Sequence, residues 1–391
     1  MMKFLTRALA ALPELQELEQ AVNAGRLPAA VTGLSAVHKA ALLRTLCART
    51  GRRALVLTGD EREAQRLADD LTAMGMRPLV YPLRDFNFRD TAGSSHEYEH
   101  QRLQVLSRLL EPAPEGCDCV VTCVDAALQY VLPPQELKSR IRAFHPGDEV
   151  PPEEIIRLLV RCGYEESDQI EGPGQFAHRG GILDFFTPNA SLPTRLEFWG
   201  DEIDTINAFD PETQRRTGEP LEEVTIAPAR EVVIDDPSAL VEKIRKLASS
   251  LRGKAAPAAR TFLHAEADKL DNGLSIGCAD KYLPLLYDSP VTLLGYFDPE
   301  NTLLFVSEPA RVKERMRSAQ WQWGEDLKGY LVEGVLCRGL DTYAGDWVWL
   351  TGQYESFGTV FLDVFAHGTY DTPVRTLANV TARQLSVWGG S

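Results

Sequence analysis

The rhythm of apolar and polar positions changes three times along the chain. Leu5, Leu9, Leu12, Leu15 and Leu18 recur at roughly helical spacing, so residues 1–25 read as one or two helices. From Ala29 short apolar runs alternate with helix-length segments. The spacing predicts strands over Ala29–Gly33, Ala54–Thr58, Pro78–Tyr81 and Cys119–Thr122. Between them it predicts helices near Val37–Arg49, Glu61–Met74 and His96–Leu110, the second introduced by turn and cap residues Thr58-Gly59-Asp60. Alternation of this kind indicates a parallel sheet covered on both faces.

The second rhythm is that of short strands. Lys138–Phe144 and Asp148–Val150 suggest a hairpin about Pro146-Gly147, and a helix over Pro152–Cys162 follows with Ile155, Ile156, Leu159 and Val160 on one face. The apolar runs Ile182–Phe186, Leu196–Trp199 and Ile203–Phe209 then read as consecutive strands, separated by Gly180-Gly181, Asn189–Pro193 and Gly200-Asp201. A helix lying on a small antiparallel sheet is the expected unit. After Arg216 helices return, near Pro237–Leu251 and Ala258–Leu270. The first carries a basic face of Lys243, Arg245 and Lys246 that reads as solvated. A strand at Leu303–Val306, irregular structure over residues 324–346, and strands at Val348–Leu350 and Val360–Phe365 complete the pattern.

Composition narrows this picture. A chain of 391 residues exceeds what one core usually supports, so two or three domains are expected. A formal charge of −15, without a basic stripe, disfavours tight binding of double-stranded DNA by this chain alone, because that affinity comes from neutralised phosphates. No apolar run approaches the roughly 18 residues of a membrane span, and the first dozen residues lack a signal-peptide pattern, so the cytoplasm is expected. Seven cysteines are scattered. The cluster Cys117, Cys119 and Cys123 lies in a CVVTC strand pattern and reads as core, with no metal site.

The connector at Gly33 carries the candidate chemistry. A phosphate-binding loop reads G-x-x-x-x-G-K-[ST] between a strand and a helix. Here Gly33 and Lys39 keep their places, but His38 replaces the second glycine and Ala40 the hydroxyl residue. A side chain at the first of these positions obstructs close wrapping of phosphates, and alanine offers magnesium no oxygen. The strand ending in Ser307-Glu308 has a serine where such ATPases carry the magnesium-holding aspartate of an Asp-Glu pair. Both nucleotide elements are thus degenerate, Lys39 is expected to be a solvated surface charge, and ATP binding is expected to be lost, leaving no cofactor. The fold class is α/β: a parallel-sheet, degenerate P-loop ATPase domain interrupted by a small α+β domain with an antiparallel sheet.

The run RGGILD from Arg179, RLEFWGDEID from Arg195 and FDPETQR from Phe209 resembles the module shared by the excinuclease subunit UvrB and the amino-terminal part of the transcription-repair coupling factor (Mfd) family. IAPARE from Ile226 is similar to the segment that returns that family's chain to its first domain. YPLRDFNFRDTAGSSHEYEHQR, from Tyr81 to Arg102, lacks the tyrosine-rich hairpin of UvrB, which favours the coupling-factor branch; Phe86, Phe88 and Tyr98 there read as packing a loop onto the domain. The resemblance implies domain 1a over 1–128, a UvrA-binding domain 2 over 129–216, domain 1b over 217–380, and the start of a linker over 381–391. It implies a non-catalytic module that recruits UvrA to stalled RNA polymerase in transcription-coupled nucleotide excision repair. Polymerase binding and ATP-dependent translocation on double-stranded DNA belong to further domains of the full-length family protein, so a fragment is expected. A truncated UvrB-type ATPase is the alternative. Carried over by position, the UvrA-contacting candidates are Arg179, with Phe176, His178 and Phe185 beside it, and Arg195. Where family members often place a basic residue after Tyr164, this chain has Glu165 and Glu166.

Overall fold

Four strands, β1 (Ala29–Thr32), β2 (Arg53–Thr58), β3 (Pro78–Tyr81) and β4 (Cys119–Cys123), lay down the first part of one sheet. The chain then departs to make β5 (Arg142–Phe144), β6 (Glu165–Glu166), β7 (Gln175–Arg179), β8 (Ile182–Phe185), β9 (Thr194–Trp199), β10 (Glu202–Phe209), β11 (Arg216–Thr217) and β12 (Val224–Ile226). It returns with β13 (Thr302–Ser307), β14 (Val360–Leu362) and β15 (Thr376–Asn379). This computed structural model describes residues 11–85, 88, 96–111, 116–274, 276, 278–287, 289, 291–365 and 370–380. Leu5, Leu9, Phe86 and the segment 381–391 lie outside the described residues.

The first sheet has the order β15-β1-β14-β13-β2-β4-β3, and every neighbouring pair is parallel. Its central strands are near-continuous apolar runs because helices cover both faces. Leu55, Val120, Leu304 and Val306 feed one core; Val56, Val121, Leu303 and Phe305 feed the other. The α/β architecture expected from the alternation is present.

The second sheet, β11-β10-β9-β8-β7-β6, is antiparallel except for the β6–β7 pair. Its inner face packs Phe176, Phe185, Leu183, Leu196 and Ile206 against Ile155 and Leu159 of the Pro152–Arg161 helix. Val160, expected on that buried face, is exposed. The hairpin expected between 138–144 and 148–150 does not form. Pro134–Arg140 is a helix with proline in its first turn, and β5 pairs with β12 instead. Asp148 turns the chain by accepting from the His145 N–H, and the Val150 N–H donates to the Asp201 carbonyl. The small unit therefore extends past residue 216, through β12 to Ala229 in its core.

Three further expectations are corrected, two of them in the returning segment. Residues 324–333 are not irregular but finish a 25-residue helix, Pro309–Glu333. Val348–Leu350 is no strand. Asp346 caps a Trp347–Gln353 helix by accepting from the Trp349 N–H at 2.7 Å. Tyr98, expected to pack its loop, is exposed, whereas Phe88 is buried between Tyr330 and Tyr343.

A buried ion network joins the two units. Glu231, wholly buried in the IAPARE segment, accepts from Arg102 and from Arg84 at 3.0 Å. Arg84 also pairs with Asp280, and Arg230 bridges Glu99 at 3.5 Å and Glu165 at 2.7 Å. Burial alone would raise the Glu99 carboxyl; Arg84, the His96 hydrogen bond and Arg230 outweigh it and bring it down to about 2.

Candidate functional site: a closed phosphate loop and an exposed sheet face

Two places were singled out by sequence, and the structure treats them in opposite ways. At the degenerate loop, the helix Ala36–Thr50 begins only three residues after Gly33. Little loop is left to wrap a phosphate. Gly33 has φ +86°, and a Cβ there would meet the Val380 carbonyl oxygen at 1.9 Å, so its glycine answers to the chain's own backbone. The Leu34 N–H donates to the Asp363 carbonyl.

Lys39 is not the solvated charge expected of it. Its side chain is 6% exposed and ion-paired with Glu308, and its ammonium donates to the Ser307 hydroxyl at 3.1 Å. Ser307 in turn donates to Glu63 at 2.7 Å. Burial raises the Glu308 carboxyl from its usual value, and Lys39 opposes that rise. Ala40 is buried in the core, and His38 stands on the helix with its Nδ1 2.6 Å from the Ser35 hydroxyl. Burial lowers the His38 pKa from its usual value. The remaining cavity, about 400 Å³, is lined by Lys39, Arg66 and Arg311 against Asp60, Glu63, Asp70 and Glu308. A polyanion would find more carboxylates than cations there.

The outer face of the six-stranded sheet presents the other candidates. Strand register places Ala177, Asp184, Arg195 and Asn207 in one row, and Arg179, Ile182, Glu197 and Thr205 in the next. Arg195 is clamped: Nε and Nη2 donate to the two Asp184 oxygens at 2.7 and 2.8 Å, and the guanidinium lies 4.7 Å over Phe209. The Asp184 hydrogen bond raises its pKa further. Glu197 is taken by Arg216 and Thr205. Arg179 is exposed and makes no ion pair among the described residues. His178 is half-buried on the other face of the strand.

Phe176 and Phe185 were expected at a partner surface. They are instead 2% and 0% exposed and pair across β7 and β8 inside the core, so neither offers area to a partner. Trp199 was missed. It shares strand parity with Arg195 and Glu197, two residues beyond Glu197, and is 83% exposed at the hairpin end beside Gly200. Arg179 and Trp199 thus mark the same end of the same face. An exposed tryptophan before a Gly-Asp turn, on the polar side of a strand, was the available signal. Glu165 is occupied internally by Arg230.

Residues 143–232, the unit that carries this face, match the family described as the UvrB interaction domain. The chain thus contains a UvrB-type interaction domain set in an α/β sheet. Over 92% of its length it is 30% identical to the transcription-repair-coupling factor of Bacillus subtilis, of which it spans 31%. The protein of the same name from Mycobacterium tuberculosis is 30% identical over 78% of the chain and 24% of that protein. That of Staphylococcus aureus is 25% identical over 81% of the chain and 27% of its own length. The chain is a UvrB-like module of the transcription-repair coupling factor (Mfd) family, and it spans a quarter to a third of the length of these relatives. Among the described residues, no helix is long and apolar enough to cross a membrane.

Proposed function

We propose that this module is a non-catalytic docking platform that binds UvrA through the outer face of its six-stranded sheet and brings it to RNA polymerase stalled at DNA damage. The observation that carries the reading is the contrast on that face. Asp184, Glu197, Arg195 and Arg216 are neutralised internally, whereas Arg179 and Trp199 stand uncommitted at one end. Arginine and tryptophan are the side chains most enriched at binding hot spots. The Lys39–Glu308 pair supports the non-catalytic part, since the ammonium that would hold phosphates already has a carboxylate. Polymerase and double-stranded DNA would be engaged by other parts of a longer protein.

Calorimetric titration of UvrA with the wild-type chain and with Arg179→Glu tests the assignment. Loss of this exposed arginine and reversal of its charge should weaken binding by at least about tenfold. Trp199→Ala should weaken it too. Equal affinity for all three proteins would remove the assigned face.

A further inference from the structure

A larger cavity than the one at the degenerate loop lies elsewhere, independent of the docking face. A groove of about 1270 Å³ runs between the distal half of the Pro309–Glu333 helix and residues 341–346. The helix fully buries Pro309, Val312, Met316 and Ala319; beyond Ala319 it is only partly buried, through Trp323, Leu327, Tyr330 and Leu331, and borders the groove. The floor is aromatic: Phe88 packs edge-on to Tyr330 at 5.4 Å and against Tyr343 at 4.4 Å between centroids. Trp321 stands at the mouth, 66% exposed.

The charges around this groove are one-sided. Its lining has three arginines and six carboxylates. Every arginine is already matched: Arg84 by Glu231 and Asp280, Arg315 by Asp125, Arg317 by Glu314. Asp85, Asp326, Asp341 and Asp346 are exposed and make no ion pair among the described residues. The available field in the groove is therefore negative, beside an exposed indole.

We infer that this groove docks an arginine-bearing segment of a partner protein, with a guanidinium over Trp321 and its neighbours paired to the aspartate rim. A guanidinium suits both features, since it stacks on an aromatic face and pairs with carboxylates in one plane. A nucleic-acid strand would meet four carboxylates that no cation neutralises among the described residues, and no spare cation in the lining. A second copy of this acidic chain would meet like charge.

The test titrates the full chain, at moderate salt, with a nonaarginine peptide, a nonaglutamate peptide and an oligothymidylate. Only nonaarginine should bind. Asp326→Asn/Asp341→Asn should weaken it by about tenfold and Trp321→Ala by about threefold, as expected for two exposed ion pairs and one cation–π contact. A charge-matched control on exposed acids of the small sheet, Glu212→Gln/Glu219→Gln, should leave affinity unchanged. All four positions are exposed, so folding is not at risk. Equal weakening by the control would reduce the effect to general attraction to an acidic surface and overturn the inference. So would binding of oligothymidylate, self-association abolished by Trp321→Ala, or no binding of nonaarginine.

Discussion

Replacing Lys39 with methionine is the sharpest perturbation of the closed loop, because it leaves Glu308 with its burial and without its cation. The lysine side chain is 6% exposed and that of Glu308 15%, so little water is at hand to compensate. Removing one partner of a buried pair typically costs about 3–5 kcal/mol. The lower end, about 3 kcal/mol, is expected here because Glu308 can take up a proton. Its folded pKa is already raised by burial, and losing Lys39 raises it further. A carboxyl with a raised folded pKa contributes stability that is present below its unfolded value and lost as pH rises through the folded one. The variant's deficit should therefore be largest at neutral pH and shrink as pH falls toward the ordinary carboxylate range. Urea denaturation of wild type and Lys39→Met at several pH values measures this, and the apolar pair Lys39→Met/Glu308→Leu should recover much of the loss. No deficit at neutral pH, or a deficit independent of pH, would refute the reasoning. So would magnesium-ATP that stabilises the wild type and not Lys39→Met.

Phe185→Ala should destabilise the small unit by about 3–5 kcal/mol, measured by denaturation, rather than simply weaken docking, because its ring is in the core. Gly33→Ala should lower stability markedly in a thermal melt, since its Cβ would meet the Val380 carbonyl at 1.9 Å in a left-handed conformation. Glu99→Gln should flatten the acid limb of stability: the carboxyl sits near 2 when folded, so its contribution is present above the ordinary unfolded value and lost as pH falls toward about 2. A chain whose acid denaturation between those values is unchanged by Glu99→Gln would contradict the network.

Much of this was legible in the sequence, and the exceptions have physical reasons. Strands buried on both faces announce themselves as apolar runs, which is why β2, β4 and β13 were readable. The strand β15, Thr-Leu-Ala-Asn, was not read because it lies at a sheet edge with alternate residues exposed. The far half of the Pro309–Glu333 helix is only partly buried, with Trp323, Leu327, Tyr330 and Leu331 packing on the core from an otherwise polar surface, so its apolar signal is weak. In ILDFF both aromatics proved buried, Phe185 in the main core of the small unit and Phe186 in a second cluster on the other side of the sheet with Ala177 and Phe209. Residue type alone did not say that two cores were present. The fate of Lys39 was not legible because Glu308 lies 269 positions away and meets it only once β13 sits next to β2 and β14. The substituted glycine and hydroxyl of the loop were visible in sequence; their replacement by an internal salt bridge was not.

A structure of this chain bound to UvrA tests the central claim most directly. The account predicts that Arg179 and Trp199 are buried against UvrA while the Lys39–Glu308 pair stays closed. A complex that leaves both residues in solvent, or that opens the pair around a nucleotide, would contradict it.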